Sequence, residues 1–421
     1  MDQTGAFKIR PSSFAAGSLV RASGGAKVHS GSGSWLKHPC CSLFPNRFWA
    51  AVDVSGAEMG DWDLVNAMHA AEVPLVVATQ SSTPPWLEEV LEVYTEWIHP
   101  NMAITVVAPL LFGLARHALA LHLVLLFGTA DLANLVFKWV FAGNRPYWAS
   151  QAVRQFPMTC EAGYGMPSGH VQAFTTVSYF LLFRCGAPSP AFALHAVFVV
   201  MGAYSRIYTG AHFPSQTMVA WAVGAGFGFG GHRLLGSPLA ASWLSAEKSR
   251  VRRLLSSASV ALLCLTAVVS TFLVLLQMGR EPLDSLKHAK AGCRSEHGPI
   301  GFAFECASKT LGVLAGATAV AAAAPNVDAR GWISFRWLAA AVAFVFCQCR
   351  ILDYVDSVGI SFFGDGPDGL RSIALAATSG FARVALASTL GSLVPAFAGE
   401  RAVAVQAEEK PSTQTQREFI P

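Results

Sequence analysis

Apolar residues in this chain form long blocks of helical length, separated by short polar or charged connections. These blocks predict about nine membrane-spanning helices, because a helix that crosses a bilayer needs ~20 mainly apolar residues. The predicted ranges are 102–115, 118–141, 171–185, 190–209, 215–235, 254–278, 302–324, 333–352 and 371–397. Several are shorter than a perpendicular crossing requires, so tilt or extension into the flanks must supply the difference. The predicted fold is therefore all-α and polytopic, embedded in a membrane.

The two ends of the chain differ from this central part. Residues 1–64 are rich in Gly, Ser and Ala, basic, and without periodicity. That composition fits either a disordered tail or a targeting presequence. Residues 65–397 would form the membrane-embedded domain, which enters through an amphipathic region at 65–101. Residues 398–421 are polar and are predicted to be disordered.

A glycine-rich run lies in the fifth predicted helix and has a superficial likeness to a nucleotide-binding loop. No strand precedes it, as such a loop would require. Its spacing, Gly224 with Gly228 and Gly226 with Gly230, is instead typical of helices that pack closely in lipid.

The composition agrees with a membrane protein. Of 421 residues, 53% are apolar and 13% are charged, whereas soluble domains carry about a quarter charged residues. The formal net charge of +4 says little about partners when much of the chain lies in lipid, and no basic stripe predicts nucleic-acid binding. The nine cysteines are scattered without a C-x-x-C pair, so no zinc or redox site is predicted, and disulfides stay open.

Loop charge predicts the topology, because positive charge in short loops marks the cytoplasmic side. The most basic connection joins the fifth and sixth predicted helices and contains His232, Arg233, Lys248, Arg250, Arg252 and Arg253. With that loop in the cytosol, the second-to-third and fourth-to-fifth connections lie on the opposite face. Three polar motifs between residues 138 and 212 lie at or beside those two connections, so we expect them to share the non-cytoplasmic face.

Three polar motifs lie at the edges of apolar blocks, between residues 138 and 212. They are Lys138-x6-Arg145-Pro146, Pro167-Ser168-Gly169-His170 and Ser205-Arg206-x5-His212. The arginines offer bidentate forks and the lysine a point charge, which together suit a tetrahedral oxyanion such as phosphate. Ser168 and Gly169 precede a predicted helix, whose free N–H groups also favour an anion.

The two histidines can divide the work of phosphoryl transfer. One attacks phosphorus, and the other protonates the leaving alcohol and then activates water. The chemistry alone does not say which is which. No carboxylate cluster near these residues offers metal ligands, so the sequence predicts no metal and no cofactor, with cations stabilising the transition state instead.

Taken singly, each of these residues has an ordinary explanation. Lys138 would be a snorkelling anchor at a helix end, and Ser168 would be a helix N-cap. Taken together, they are hard to obtain by chance, because ionisable groups at membrane edges are costly and usually functional.

The three motifs are identified as the signature of the acid-phosphatase and lipid-phosphatase (PAP2) superfamily, which also includes the vanadium haloperoxidases. The superfamily pattern has Asp four residues after the last histidine, where this chain has Gln216. The glucose-6-phosphatase catalytic subunits also carry Gln there. The segments Arg145–Trp148 and Gln155–Glu161 and the sequence around Ala211–Pro214 resemble the same family. The resemblance extends from about residue 65 to about residue 397.

This resemblance implies nine transmembrane helices in the endoplasmic reticulum membrane, with an active site that faces the lumen. It implies hydrolysis of glucose 6-phosphate, with His212 as the nucleophile and His170 as the proton donor. Lys138, Arg145 and Arg206 would bind the phosphoryl group together with Ser168 and Gly169. A lumenal enzyme would also need a separate glucose 6-phosphate transporter as a partner. Departures from the family occur where sugar specificity could be set, at Tyr164, Met166 and Ser215.

Three alternatives remain open from the sequence. A lipid-phosphate or isoprenyl-diphosphate phosphatase would use the same motifs on another substrate. A non-catalytic transporter or scaffold would retain the fold without turnover, although the full set of cations and histidines speaks against it. A haloperoxidase would use a similar anion pocket with vanadate.

Overall fold

The computed structural model describes residues 61–156, 159–237, 250–293, 303–323, 338–345, 347–348, 369–391 and 394. Most of the predicted N-terminal extension, the whole of the predicted polar tail and half of the predicted helix 333–352 lie outside these residues.

Helices account for nearly all of the regular structure, and no strand occurs among the described residues. The helices are α1 Asp61–Ser82, α2 Pro85–Trp97, α3 Ala108–Gly113, α4 His117–Phe141, α5 Pro146–Ala149, α6 Gly169–Arg184, α7 Ser189–Tyr208, α8 Pro214–Leu235, α9 Arg250–Gln277, α10 Asp284–Gly292, α11 Ala303–Ala323 and α12 Gly369–Gly391. A π-helical turn, Ala103–Val107, leads into α3. The prediction of an all-α fold is therefore confirmed for the described residues.

Three stretches in the described part of the chain are long and apolar enough to cross a membrane. They are His117–Ala149, Ser189–Tyr208 and Ala258–Gln277, and two shorter apolar helices lie at Ala103–Gly113 and Cys306–Val320. The count of about nine spans stays a prediction. The helix bounds follow the predicted segments closely, as in α7 and α8.

The region predicted as an amphipathic entry consists of two helices that pack against the loops at one end of the bundle. Helix α1 begins at Asp61, before the predicted domain boundary at residue 65. Its Gln80 side chain donates from Nε2 to the carbonyls of Arg154 and Tyr208, each at 2.8 Å. The entry region thus supports the loops that carry the polar motifs.

Helix α4 lies at the centre of the bundle. It packs against α3, α6, α8, α9 and α11, and its Leu123 and Val124 are fully buried. Because α4 is surrounded, polar residues on it face either another helix or an internal cavity. The polar residues Asp131, Asn134 and Lys138, on its C-terminal half, are enclosed in this way.

One of the two glycine pairs in α8 that were predicted to allow close helix packing does so. A Cβ built at Gly224 would lie 2.7 Å from the carbonyl oxygen of Gln172, and one at Gly228 would lie 2.9 Å from that of Thr176, both on α6. These two glycines therefore allow α8 to approach α6 closely. A Cβ at Gly226 or Gly230 would meet nothing within 4 Å, so the second predicted pair takes no part in this contact.

Candidate active site

The three motifs meet at one end of the helix bundle. Lys138 lies in the last turn of α4, and Arg145 follows in extended backbone directly before the proline that begins α5. Ser168 is the N-cap of α6. Arg206 lies in the last turn of α7, and His212 lies in the short loop between α7 and α8. Because α4 and α7 end where α6 and α8 begin, their polar ends converge.

The two arginines of the site are buried and share one carboxylate. Nη2 of Arg145 lies 2.8 Å from Oε2 of Glu161, and Nη2 of Arg206 lies 2.6 Å from Oε1. Arg145 also donates from Nε to the carbonyl oxygen of Gly163 at 2.7 Å and from Nη1 to that of Ala211 at 3.3 Å. The two guanidinium side chains are 0% and 1% exposed, whereas Glu161 is 22% exposed. Glu161 thus fills the position between two cations that an incoming anion would need.

The charge of Glu161 depends on these neighbours. Burial by itself would raise its pKa, but the guanidinium groups of Arg145 and Arg206 outweigh burial and hold the pKa well below its ordinary value. The carboxylate is therefore ionised at neutral pH and neutralises part of the positive cluster. Sequence reasoning used Glu161 only as a mark of family resemblance. The sequence signal that could have identified Glu161 was a single acidic residue among the cationic residues of the motifs.

The imidazole of His212 is fixed by its backbone surroundings. Nδ1 lies 2.8 Å from the carbonyl oxygen of Gly165 and 3.2 Å from Oε1 of Gln216. Since both neighbours are acceptors, Nδ1 carries the proton and Nε2 has a free lone pair. Nε2 is buried and has no hydrogen-bond partner among the described residues. Burial, followed by the positive charges of Arg145 and Arg206, holds the pKa of His212 well below its ordinary value.

The side-chain amide of Gln216 stabilises this loop through hydrogen bonds to backbone groups. Its Nε2 donates to the carbonyl oxygen of Asn144 at 2.7 Å, and its Oε1 accepts from the backbone N–H of Phe213 at 3.2 Å. The carbonyl oxygen of Gly165 lies closer to Nδ1 of His212 than Oε1 of Gln216 does. A Cβ at Gly165 would lie 2.6 Å from Oε1 of Gln216, so only glycine allows the loop and the amide side chain to approach this closely.

Helix α1 contacts the same loop through two residues that were not predicted from the sequence. The ring of His69 stacks on Phe213 at 4.9 Å, and burial lowers the pKa of His69 to about 4. Glu72 accepts hydrogen bonds from the backbone N–H of Ser215 at 3.1 Å and from its hydroxyl at 2.8 Å. Burial raises the pKa of Glu72 despite these hydrogen bonds. The signal that could have found them was two ionisable residues inside an apolar stretch.

The remaining predicted residues line the other side of the cluster. The ammonium group of Lys138 would lie 4.0 Å from a Cβ at Gly163 and 4.0 Å from one at Gly169, so both glycines leave room beside this cation. The hydroxyl of Ser168 is buried without a partner among the described residues. His170 packs edge-on against His99, with ring centroids 5.0 Å apart. The structure therefore brings all seven predicted site residues to one end of the bundle.

A cavity of about 430 Å³ adjoins the cluster. Lys138, Glu161, His170 and Arg206 line its end at the cluster, and helices α2, α4 and α11 supply most of the remaining wall. Arg145 and His212 do not line it. Arg145 reaches the cavity lining through Glu161, whose carboxylate it contacts.

The site is tied to α10 by a disulfide that the cysteine spacing left open. Cys160, directly before Glu161, is bonded to Cys293, with Cα atoms 5.5 Å apart. Helix α10 supplies Ser285 to the cavity wall. The bond thus joins one wall of the cavity to the loop that carries Glu161. Among the described residues, no group of three His, Cys, Asp or Glu side chains is placed to hold a metal ion.

The central region of the chain resembles a known protein family. Residues 119–237, which hold all three motifs, match the family model of the PAP2 superfamily. The chain is also similar to glucose-6-phosphatases, which confirms the resemblance predicted from the motifs. It is 34% identical over 143 aligned positions to "Glucose-6-phosphatase catalytic subunit 1" of Bos taurus, covering 28% of this chain and 40% of the relative.

Two further relatives bear related names. "Glucose-6-phosphatase 2" of Homo sapiens is 32% identical over 117 positions, covering 21% of this chain and 33% of the relative. "Glucose-6-phosphatase 3" of Mus musculus is 34% identical over 122 positions, covering 24% and 35%. The chain thus spans 40% or less of the length of these curated relatives. No solved structure matches it.

Proposed function

We propose that this protein is an integral-membrane phosphatase that hydrolyses a sugar phosphate, with glucose 6-phosphate as the first substrate to test. The observation that carries the proposal is the state of His212. Its Nδ1 is held by the carbonyl oxygen of Gly165, and its Nε2 is buried beside two arginines without a partner among the described residues. A neutral imidazole held in one tautomer next to an anion-binding pair is suited to attack phosphorus.

The proposed reaction has two steps. In the first, Nε2 of His212 attacks phosphorus, the bond from phosphorus to the alcohol oxygen breaks, and His170 donates a proton to that oxygen. The products are a phosphohistidine and the free sugar. In the second, His170 accepts a proton from water as the water oxygen attacks phosphorus, the bond from phosphorus to Nε2 of His212 breaks, and inorganic phosphate leaves with His212 regenerated.

Cationic side chains would stabilise the charge that develops on the phosphoryl oxygens. Arg145 and Arg206 supply planar donors and Lys138 a third positive charge. Ser168 and Gly169 add donors at the start of α6, where unpaired N–H groups favour an anion. In this proposal the phosphoryl group displaces Glu161, because both anions need the same guanidinium donors.

The principal alternative is a phosphatase that acts on a lipid phosphate or an isoprenyl diphosphate. The observation in its favour is the apolar part of the cavity wall, which includes Ile104, Phe127 and Val313. Against it, the same wall carries Glu96, Asn101, Asp131 and Thr310, and burying such groups against an alkyl chain is costly. A non-catalytic transporter or scaffold is the second alternative.

The test is a substrate panel on the full-length protein in detergent or nanodiscs, with EDTA present throughout. We expect phosphate release from glucose 6-phosphate that exceeds release from a phosphatidate and from an isoprenyl diphosphate. Faster hydrolysis of either lipid would establish the first alternative. No hydrolysis of any substrate by the folded protein would favour the second.

Phosphoenzyme labelling tests the proposed roles of the two histidines. With an ester that carries 32P, His212→Ala should abolish both turnover and labelling. His170→Ala should lose turnover but retain labelling when the leaving group is good. His195→Gln is the matched control, because His195 is buried on α7 but bonds to Ser178 at 2.6 Å, away from the site. Labelling that survives His212→Ala would contradict the mechanism.

The proposed location is the endoplasmic reticulum membrane, with the site facing the lumen and a separate transporter supplying the substrate. The Cys160–Cys293 bond supports a non-cytosolic site, because disulfides persist in oxidising compartments and are rare in the cytosol. Accessibility of an epitope inserted at Gly186, an exposed turn at the opposite end of α6, tests this topology. Access from the cytosol after selective permeabilisation of the plasma membrane would agree with a lumenal site, and protection would contradict it.

A further inference from the structure

We propose that Asp131 and Thr310 determine substrate specificity by binding hydroxyl groups of the alcohol, at the end of the cavity away from the phosphate site. This inference rests on the proposed function, and it names the substrate class as a compact polyol phosphate rather than an alkyl phosphate.

The first argument is the face of α4 that lines the cavity. Asp131, Asn134 and Lys138 all line it, at spacings of three and four residues that place them on one side of a helix. Asp131 and Lys138 are two turns apart, which is about 10 Å along the helix axis. A substrate whose phosphate lies beside Lys138 would therefore extend along α4 towards Asp131.

The second argument is that α11 presents a matching face. Cys306, Lys309, Thr310 and Val313 of α11 line the cavity next to this face of α4. The hydroxyl of Thr310 donates to Oδ2 of Asp131 at 2.5 Å and also lies 3.0 Å from the carbonyl oxygen of Cys306. This hydrogen bond joins two helices from distant parts of the sequence at the cavity wall.

The third argument is the hydrogen-bonding capacity of this pair. A carboxyl group has acceptor lone pairs on its oxygens in either protonation state, and Thr310 occupies one of them. The threonine oxygen can itself accept a further hydrogen bond. The pair can therefore accept hydrogen bonds from two or more substrate hydroxyls, which a sugar supplies and an alkyl chain does not.

The energetic consequence is discrimination against substrates that lack hydroxyl groups. A site built to hydrogen-bond a substrate rejects an analogue without the hydroxyl strongly, because the buried polar groups of the site are left unpaired. The competing explanation is that Asp131 and Thr310 only hold α4 to α11, since polar residues often join helices in membranes. The two explanations differ in what they predict for matched substrates.

The experiment compares glucose 6-phosphate with cyclohexylmethyl phosphate, a hydroxyl-free ester of similar size, on the full-length protein. For the wild type, we expect kcat/KM to favour glucose 6-phosphate by at least tenfold. Thr310→Val and Asp131→Asn should each reduce that preference by at least fivefold, mainly by raising KM for the sugar phosphate. Thr310→Ser, which restores the hydroxyl, should recover most of it.

Thr318→Val is the matched control. Thr318 is buried on the same helix and bonds to the carbonyl oxygen of Leu314 at 2.8 Å, but it does not line the cavity. Its substrate preference should equal that of the wild type. An unchanged preference in both folded site variants would overturn the inference. So would an equal loss on both substrates, which indicates only a structural link between helices.

A binding measurement separates this inference from the proposed function. In a His212→Ala background, glucose 6-phosphate should raise the Tm more than cyclohexylmethyl phosphate does, and Thr310→Val should remove the difference. If this pattern holds while no protein hydrolyses either ester, the catalytic proposal fails and the binding assignment stands. If hydrolysis occurs without this pattern, the binding assignment fails and the catalytic proposal stands.

Discussion

Nδ1 of His212 lies 2.8 Å from the carbonyl oxygen of Gly165, a residue 47 positions earlier in the chain. The hydrogen bond fixes the tautomer of the imidazole and aims Nε2 away from the backbone. Because a main-chain carbonyl provides the contact, the geometry of one loop controls the orientation of the proposed nucleophile. The position of Gly165 relative to Gln216 therefore bears directly on the orientation of His212.

Gly165→Ala should impair activity without removing any catalytic group. The added Cβ would lie 2.6 Å from Oε1 of Gln216 and 3.0 Å from the carbonyl oxygen of Asn144, so the Gln216 amide or the loop must shift, and either movement disturbs the hydrogen bonds that orient His212. We expect kcat/KM to fall on the order of 10²-fold, because misplacing a reacting group by about 1 Å has an effect of this size. Steady-state hydrolysis of the identified substrate measures it.

Gly226→Ala is the control for that substitution. It makes the same chemical change in α8 at a position where a Cβ meets nothing within 4 Å. Activity within twofold of the wild type is expected. An equal loss in both variants would mean that the cost of alanine does not arise from the loop beside His212.

Activity should not fall with protonation of a histidine near pH 6.5. Burial and the positive charges of Arg145 and Arg206 hold the pKa of His212 well below its ordinary value, which is about 6.5. The neutral form that attacks phosphorus thus persists as the pH falls through 6.5. In a His170→Ala background, phosphoenzyme should form at similar rates at about pH 5.5 and about pH 7.5, with an ester whose own ionisation lies lower. A midpoint close to 6.5 would contradict this prediction.

Much of the site could be predicted because its residues lie at the ends of helices that the hydrophobic pattern defines. Lys138, Arg206 and His212 follow or end long apolar blocks, and loop charge placed them on one face. Their convergence needed only the correct order of helices, not the details of packing.

The supporting residues could not be predicted because they come from helices far away in the sequence. Thr310 meets Asp131 across 179 residues, and Glu72 meets Ser215 across 143. No local pattern identifies such a partner. Similarly, the spacing of glycines in α8 predicted two contact pairs, but only the rotation of the helix decides that Gly224 and Gly228 face α6.

Glu161→Gln should destabilise the protein, and phosphate should reverse much of the loss. The substitution leaves the buried guanidinium groups of Arg145 and Arg206 without their shared carboxylate, and breaking such a pair costs about 3–5 kcal/mol. A bound phosphate replaces the missing charge. We therefore expect a lower Tm than in the wild type, and a larger rise in Tm when inorganic phosphate is added.

The pH dependence of stability checks the same residue. Because the pKa of Glu161 is lower in the folded state than in the unfolded chain, its contribution is present above about pH 4.3 and is lost as pH falls below that value. Glu161→Gln should flatten this acid limb, whereas Glu89→Gln, at an exposed position on α2, should not. In the phosphate experiment, an equal rise in Tm for the wild type and Glu161→Gln would contradict the proposal that phosphate takes the place of the Glu161 carboxylate.

Loss of the Cys160–Cys293 bond should lower stability and weaken substrate binding together. The bond closes a loop of 133 residues, and removing a native disulfide typically costs about 2–5 kcal/mol. It also joins Glu161 to α10, which supplies Ser285 to the cavity wall. We expect the double variant Cys160→Ala/Cys293→Ala to have a lower Tm and a KM raised severalfold. Cys185→Ala, which removes an exposed free thiol, should change neither. A reductant should lower the Tm of the wild type but not of the double variant, and an equal response in both would contradict a stabilising role for this disulfide.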